Sequence, residues 1–281
     1  MYRVRYLQPT DRRLGRHVNH DPRSRRFPVR LPAVPITSVR HERHIPIFDQ
    51  GNLGSCTGNA AVGCMGTGQF FATVDANEQA QFPLTEGGAV LVYGAATAID
   101  SYAGTYPPDD TGSDGLSVAK VLKTAGWISG YEHAFSIADG LTALMSRPLI
   151  VGVNWMDDMF SPDINGIVHP TGGIAGGHEF VWDSYDAGTS LCGFTNSWGK
   201  GWGAAGRFFM LANEWEELLA QDGDVTSFVP STVAPPQPQP TTDPGDVLWG
   251  ATKGWSAAAH VGSNAAAARA VKRWAVRTGR P

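Results

Sequence analysis

The chain has 281 residues, of which 42% are hydrophobic and 17% charged, and its net charge is −4 at neutral pH. That size and apolar share allow one large domain with appendages. The composition excludes a membrane-spanning helix, since no run of about 18 apolar residues occurs, and it excludes a disulfide framework, since the only cysteines are Cys56, Cys64 and Cys192.

Residues 1–44 hold eleven arginines against three acidic side chains, with five prolines and little periodicity. They read as a basic, extended N-terminal arm that wraps or precedes the domain without folding alone. Residues 45–230 hold five basic against twenty-one acidic side chains. The arm is therefore expected to fold back on the acidic body by attraction, with a separate protein partner as the other outlet for its charge. The first residues, MYRVRYLQPTDRR, lack the apolar run of a secretory signal.

The 34 glycines predict an irregular fold rich in turns and close approaches. A first helix is expected from Ser55, with Cys56, Ala60, Gly63, Cys64, Thr67, Phe70 and Phe71 near one face and Ser55 capping the first turn. Residues 55–74 carry no charged side chain, so this helix should be buried. Further helices are predicted over 84–99, 117–125 with Gly126 as the stop, and 136–145. Strands follow at 149–154, 178–183, 190–196 and 207–211. Helices first and antiparallel strands second make an α+β domain over 45–229, with a cleft between the halves as the natural site. Residues 230–246 read as a stiff proline-rich linker. Residues 247–281 form a basic, alanine-rich tail with a helix over 263–278, suited to docking on the domain or on a partner protein. Basic residues alone point only weakly to nucleic acid, which is not an expected partner.

The stretch QGNLGSCT, residues 50–57, places Cys56 at the first turn of the buried helix, where unpaired amides and the helix dipole favour thiolate. A free cysteine is otherwise a small buried hydrophobe, so the case for chemistry rests on companions. His178 follows Gly176 and Gly177 and opens an apolar strand, a place where an imidazole can stand at a cleft rim. Asn196 ends another strand and can fix the far ring nitrogen, with Trp198 shielding that contact from water. Gln50, across the glycine turn, can aim its amide at the same oxygen as the Cys56 backbone N–H, giving two oxyanion donors.

Gln50 to Cys56, Gly177-His178 and Asn196-Ser197-Trp198-Gly199, in that order, resemble the motifs of the papain-like cysteine peptidases of the C1 type, in a bacterial or phage-like form. The resemblance covers roughly residues 45–212, including the segment at Asp114-Gly115-Leu116. It implies a two-part fold, a helical half carrying the nucleophile and a sheet half, with the cleft between them. It implies an endopeptidase acting through a thioester, with Cys56, His178 and Asn196 catalytic and Gln50 in the oxyanion hole. Two positions depart from the family pattern. Thr57 stands where an aromatic is usual, and Glu179 stands where a small apolar residue is common. A carboxylate of Glu179 turned inward would raise the pKa of His178.

A thioester could also serve an amidase or a transferase, and a peptidase-like domain could serve as a structural component of a phage particle. Cytoplasm or virion is the expected location. No cofactor is needed, and no metal is expected, since the cysteines lack Cys-x-x-Cys spacing and the paired histidines lie in the arm. Nucleotide-binding motifs are absent from the sequence. The arm lacks the long helical pattern of the family's inhibitory leader and is expected to be a short wrapping arm that need not block the cleft.

Overall fold

The computed structural model describes residues 14–32, 34–75 and 83–231. The tail helix and nearly all of the proline-rich linker lie outside these residues. Helix α1 (Cys56–Met65) is buried along its whole length, as an uncharged, small-residue helix must be. It does not continue to residue 74. Gly66 ends it, Gly68 takes a left-handed φ of +58°, and α2 (Gln69–Asp75) starts anew. Ser55 is the cap residue by position, but its side chain makes no cap hydrogen bond. Its Oγ instead accepts from Asn59 Nδ2 at 2.9 Å.

Helix α3 (Glu86–Thr97) is capped by Thr85 and packs beside α1. Helix α4 (Gly115–Thr124) begins two residues before the predicted start, because the Asp114 carboxylate accepts from Ser117 N at 2.8 Å. Helix α5 (Ile137–Leu144) follows the predicted one, with Ser136 as a true cap.

The strands form one open antiparallel sheet in the order β2-β7-β3-β4-β5-β6. It comprises β2 (Ile128–Ala134), β3 (Leu149–Met156), β4 (Ile174–Asp186), β5 (Leu191–Thr195), β6 (Arg207–Leu211) and β7 (Asp224–Pro230), with the short β1 (Val39–Arg40) from the arm paired to β4. Helix α6 (Ala212–Leu219) buries only Trp215 and Leu218. Strands β2 and β7 and helix α6 were not predicted. The β2 sequence ISGYEHA places a glycine and three polar residues, Ser129, Glu132 and His133, where apolar alternation would announce a strand.

Two cores lie on opposite faces of the sheet. One joins α1, α3 and α4 to Ile150, Val181 and Phe228. The other is aromatic, uniting Trp155, Phe180, Trp182, Phe194, Phe208 and Trp215. The α+β class and the division into a helical and a sheet half follow the sequence expectation.

Candidate active site

Alternation along β4 decides what each side chain meets. His178, Phe180 and Trp182 point into the aromatic core, while Glu179 and Val181 point to the helical side. Antiparallel pairing of Val181 with Thr195 carries Asn196 back toward His178. The imidazole Nε2 lies 2.7 Å from Asn196 Oδ1, and the same oxygen accepts from Ser197 N at 2.8 Å. A carbonyl oxygen only accepts, so Nε2 carries the hydrogen and the ring lone pair sits on Nδ1. Nδ1 is buried and has no hydrogen-bond partner. Trp198 stacks on the ring with centroids 4.6 Å apart, and Trp155 meets its edge at 5.0 Å. These indoles keep water from the His178–Asn196 contact. Burial drives the imidazole pKa down to about 4, and the Asn196 contact opposes the shift.

Cys56 begins α1 with its thiol fully buried against the backbone amides of Glu179, Gly15 and Thr57. The Glu179 amide is the one that follows His178, so the thiol lies against the β4 backbone next to that residue, with no hydrogen bond formed between Sγ and Nδ1. Burial pushes the thiol up to about 12, with the nearby Glu179 charge adding to the shift and the three amides opposing it. Both groups are therefore uncharged near neutral pH in this arrangement.

The turn before Cys56 is held from two sides. Gln50 N donates to Ser197 O at 2.9 Å. The Gln50 side chain accepts from Ser197 Oγ at 2.7 Å and donates to Leu53 O at 2.8 Å. Gly54 N donates to the Asp110 carboxylate at 3.0 Å, which also accepts from Tyr93 Oη at 2.6 Å. Sequence reasoning missed Asp110 and Tyr93, and gave Ser197 no role of its own, because each acts across a fold contact that no local pattern announces. Thr57 is fully buried and its hydroxyl has no partner.

Glu179 does not turn toward His178. Neighbours on a strand face opposite ways, and the carboxyl points to Gly115, Gly152 and Asp224. The predicted upward shift of His178 is absent for that reason.

The arm reaches the turn that carries Cys56 and the start of β4. Arg16 N donates to Gly177 O at 3.0 Å, His17 N to Ser113 O at 2.7 Å, and Ser113 N to Gly15 O at 2.9 Å. The approach is so close that a Cβ on Gly15 would lie 2.0 Å from Gly54 O. The chain then runs along β2, pairs with β4 through β1, and passes the end of α1 at Arg43. Among the described residues, its ion pairs to the body are Arg16–Asp224 and His20–Asp222.

No protein-family model matches the sequence, and no curated protein is similar enough to count as a relative. Solved structures do match. Xylellain, a cysteine protease from Xylella fastidiosa, superposes with a TM-score of 0.61 at 19% identity, over 77% of this chain and 96% of that one. ProCathepsin B S9 from Trypanosoma congolense gives 0.57 at 13% identity, over 83% and 94%. Digestive procathepsin L 3 of the Tenebrio molitor larval midgut gives 0.53 at 15%, over 72% and 73%. The fold is papain-like.

Within this papain-like fold, Gln50, Cys56, His178, Asn196 and Trp198 gather where α1 meets β4 and the turn after β5. Cys64 and Cys192 are buried, free and remote in role, Cys64 donating to Pro148 O. Among the described residues, no group of three or more His, Cys, Asp or Glu is placed to hold a metal ion. No described helix is long and apolar enough to cross a membrane.

Proposed function

We propose that the protein is a cysteine endopeptidase in which Cys56 is the nucleophile, His178 the base, Asn196 its orienting partner and Gln50 an oxyanion donor. The observation that carries this reading is the fixed tautomer of His178. Its Nε2–H is held by Asn196 Oδ1 under Trp198, which leaves the basic Nδ1 unpartnered beside the strand that meets Cys56.

In the proposed reaction His178 Nδ1 takes the thiol proton and Cys56 Sγ bonds to the carbonyl carbon of a peptide. The carbonyl π electrons move to oxygen, where Cys56 N–H and a Gln50 amide hydrogen meet the developing charge. Collapse breaks the C–N bond, and the leaving amine takes the proton from His178. Water then attacks the thioester, giving its proton to Nδ1 as the C–S bond breaks, and the thiol is restored. The Gly15 amide at Sγ stands where the substrate must enter, so the arm has to lift before turnover.

The test uses the full chain with Gly15→Val, whose side chain cannot fit against Gly54 O. A thiol-reactive peptide epoxide should label this protein at Cys56, and an unfolded protein substrate should be cleaved. Adding Cys56→Ala should abolish both. Folded, reduced G15V protein that neither labels nor cleaves would overturn the reading.

A further inference from the structure

Three adjacent strands place Glu179, Gly152 and Asp224 in one row, since Gly152 pairs with Glu179 on one side and with Asp224 on the other. A glycine inside a strand often marks a place where something else must approach. Here that something is a guanidinium. A Cβ on Gly152 would lie 2.6 Å from Arg16 Nε, 2.5 Å from Glu179 Oε2 and 2.9 Å from Asp224 Oδ2. Gly115, at the start of α4, closes the other wall, where a Cβ would lie 2.5 Å from Glu179 Oε1.

Arg16 fills this pocket from the arm. Its side chain is fully buried, with Nε donating to Asp224 at 3.2 Å and Nη2 donating to Asp224 and, at 2.6 Å, to Asp222 O. Glu179 is fully buried as well, yet neither of its carboxyl oxygens has a hydrogen-bond partner, and Arg16 Nη1 has none either. An unpartnered buried carboxyl is expensive to keep. In a fold built only for stability, an apolar residue would suit the site better. The pocket adjoins the reacting groups, because the amide of Glu179 and that of Gly15, the residue before Arg16, both meet Cys56 Sγ.

Resting on the peptidase reading, we propose that the Glu179–Gly152–Asp224 pocket is the specificity pocket of the enzyme and accepts an arginine side chain of the substrate. Arg16 is the internal occupant that a substrate arginine replaces. Arginine suits the pocket better than lysine, because its planar fork bonds the Asp224 carboxylate and the Asp222 carbonyl together, whereas an ammonium is a single point donor.

The test is made on the full chain carrying Gly15→Val, with a fluorogenic peptide library varied at each position near the cleaved bond. One position should favour arginine over leucine by roughly 100-fold in kcat/KM, the scale of a buried charge-assisted pair, and over lysine by a smaller factor. Adding Glu179→Gln and Asp224→Asn together should bring the arginine-to-leucine ratio near one, with alkylation of Cys56 by iodoacetamide reporting that the site still folds. A second readout needs no turnover. N-acetylarginine methylamide should raise the Tm of full-length Arg16→Ala, whereas N-acetylleucine methylamide should not, and Asp224→Asn should remove the effect. Cleavage without arginine preference, or a preference that survives the double substitution, overturns the pocket and leaves the peptidase intact. Absence of both cleavage and Cys56 labelling overturns the peptidase and the substrate role together, with the amide readout still telling whether a guanidinium binds.

Discussion

His178 illustrates how much of the site is set by one side chain's surroundings. Its pKa near 4 lies below the ordinary value of about 6.5, so between these limits the unfolded chain binds a proton that the folded chain refuses. Stability linked to His178 is thus fully present above about pH 6.5 and is lost as pH falls toward 4, by about 3 kcal/mol in all. Urea midpoints measured across this window should fall more steeply for the wild type than for His178→Gln. Superimposable slopes would show that the imidazole is not held neutral by burial. Asp100, pushed up to about 6 chiefly by burial, acts with the opposite sign, which is why the difference between the two proteins is the informative quantity.

Among the elements, the arm has the largest effect on access. Burial holds the Cys56 thiol protonated near neutral pH, at a pKa of about 12, with the Gly15 amide of the arm opposing the shift. Iodoacetamide should therefore alkylate the full chain slowly at pH 7 and faster as pH rises. In Gly15→Val, the rate at pH 7 should rise at least tenfold, which corresponds to about 1.4 kcal/mol of lost closure. Equal rates would mean that the arm does not control the thiol. The elements also show what is legible in the sequence. Gln50, Cys56, His178 and Asn196 sit in short glycine-flanked or strand-end stretches whose chemistry is local. The arrangement Arg16–Asp224 spans 208 positions, and nothing beside either residue in the chain announces the other. The apolar spacing from Ser55 continues through Gly66 and Gly68, and only the φ of Gly68 reveals the break between α1 and α2. Strand β7, DVTSFVP, was lost beside the proline-rich stretch that follows it.

Across the described residues, one aromatic core holds Trp215 at one end and packs Trp155 and Trp198 against His178 at the other. Trp215 is fully buried and packs against Phe194 at 4.9 Å and Trp182 at 5.7 Å, and it joins α6 to the sheet. It touches none of the groups placed at the site. Trp215→Ala should cost roughly 3–5 kcal/mol, read as a lower urea midpoint. The epoxide-labelling rate of Cys56 in the Gly15→Val background should stay within about threefold at a temperature where the variant remains folded, an effect of ~0.7 kcal/mol. A midpoint unchanged by the substitution would remove Trp215 from the core.

Strand β4 separates two tasks by the parity of residue number. Even positions 178, 180 and 182 face the aromatic core, and odd positions 179 and 181 face the helices. The proposed base and the proposed arginine pocket thus lie on the two sides of a single ribbon. Inserting one residue just before His178, with the strand after it slipping by one, would swap the sides, sending the imidazole into the acidic pocket and the Glu179 carboxyl into the aromatic core. Redesign of the proposed specificity would have a simple grammar, in which odd positions on β4 are rewritten and even positions are left alone.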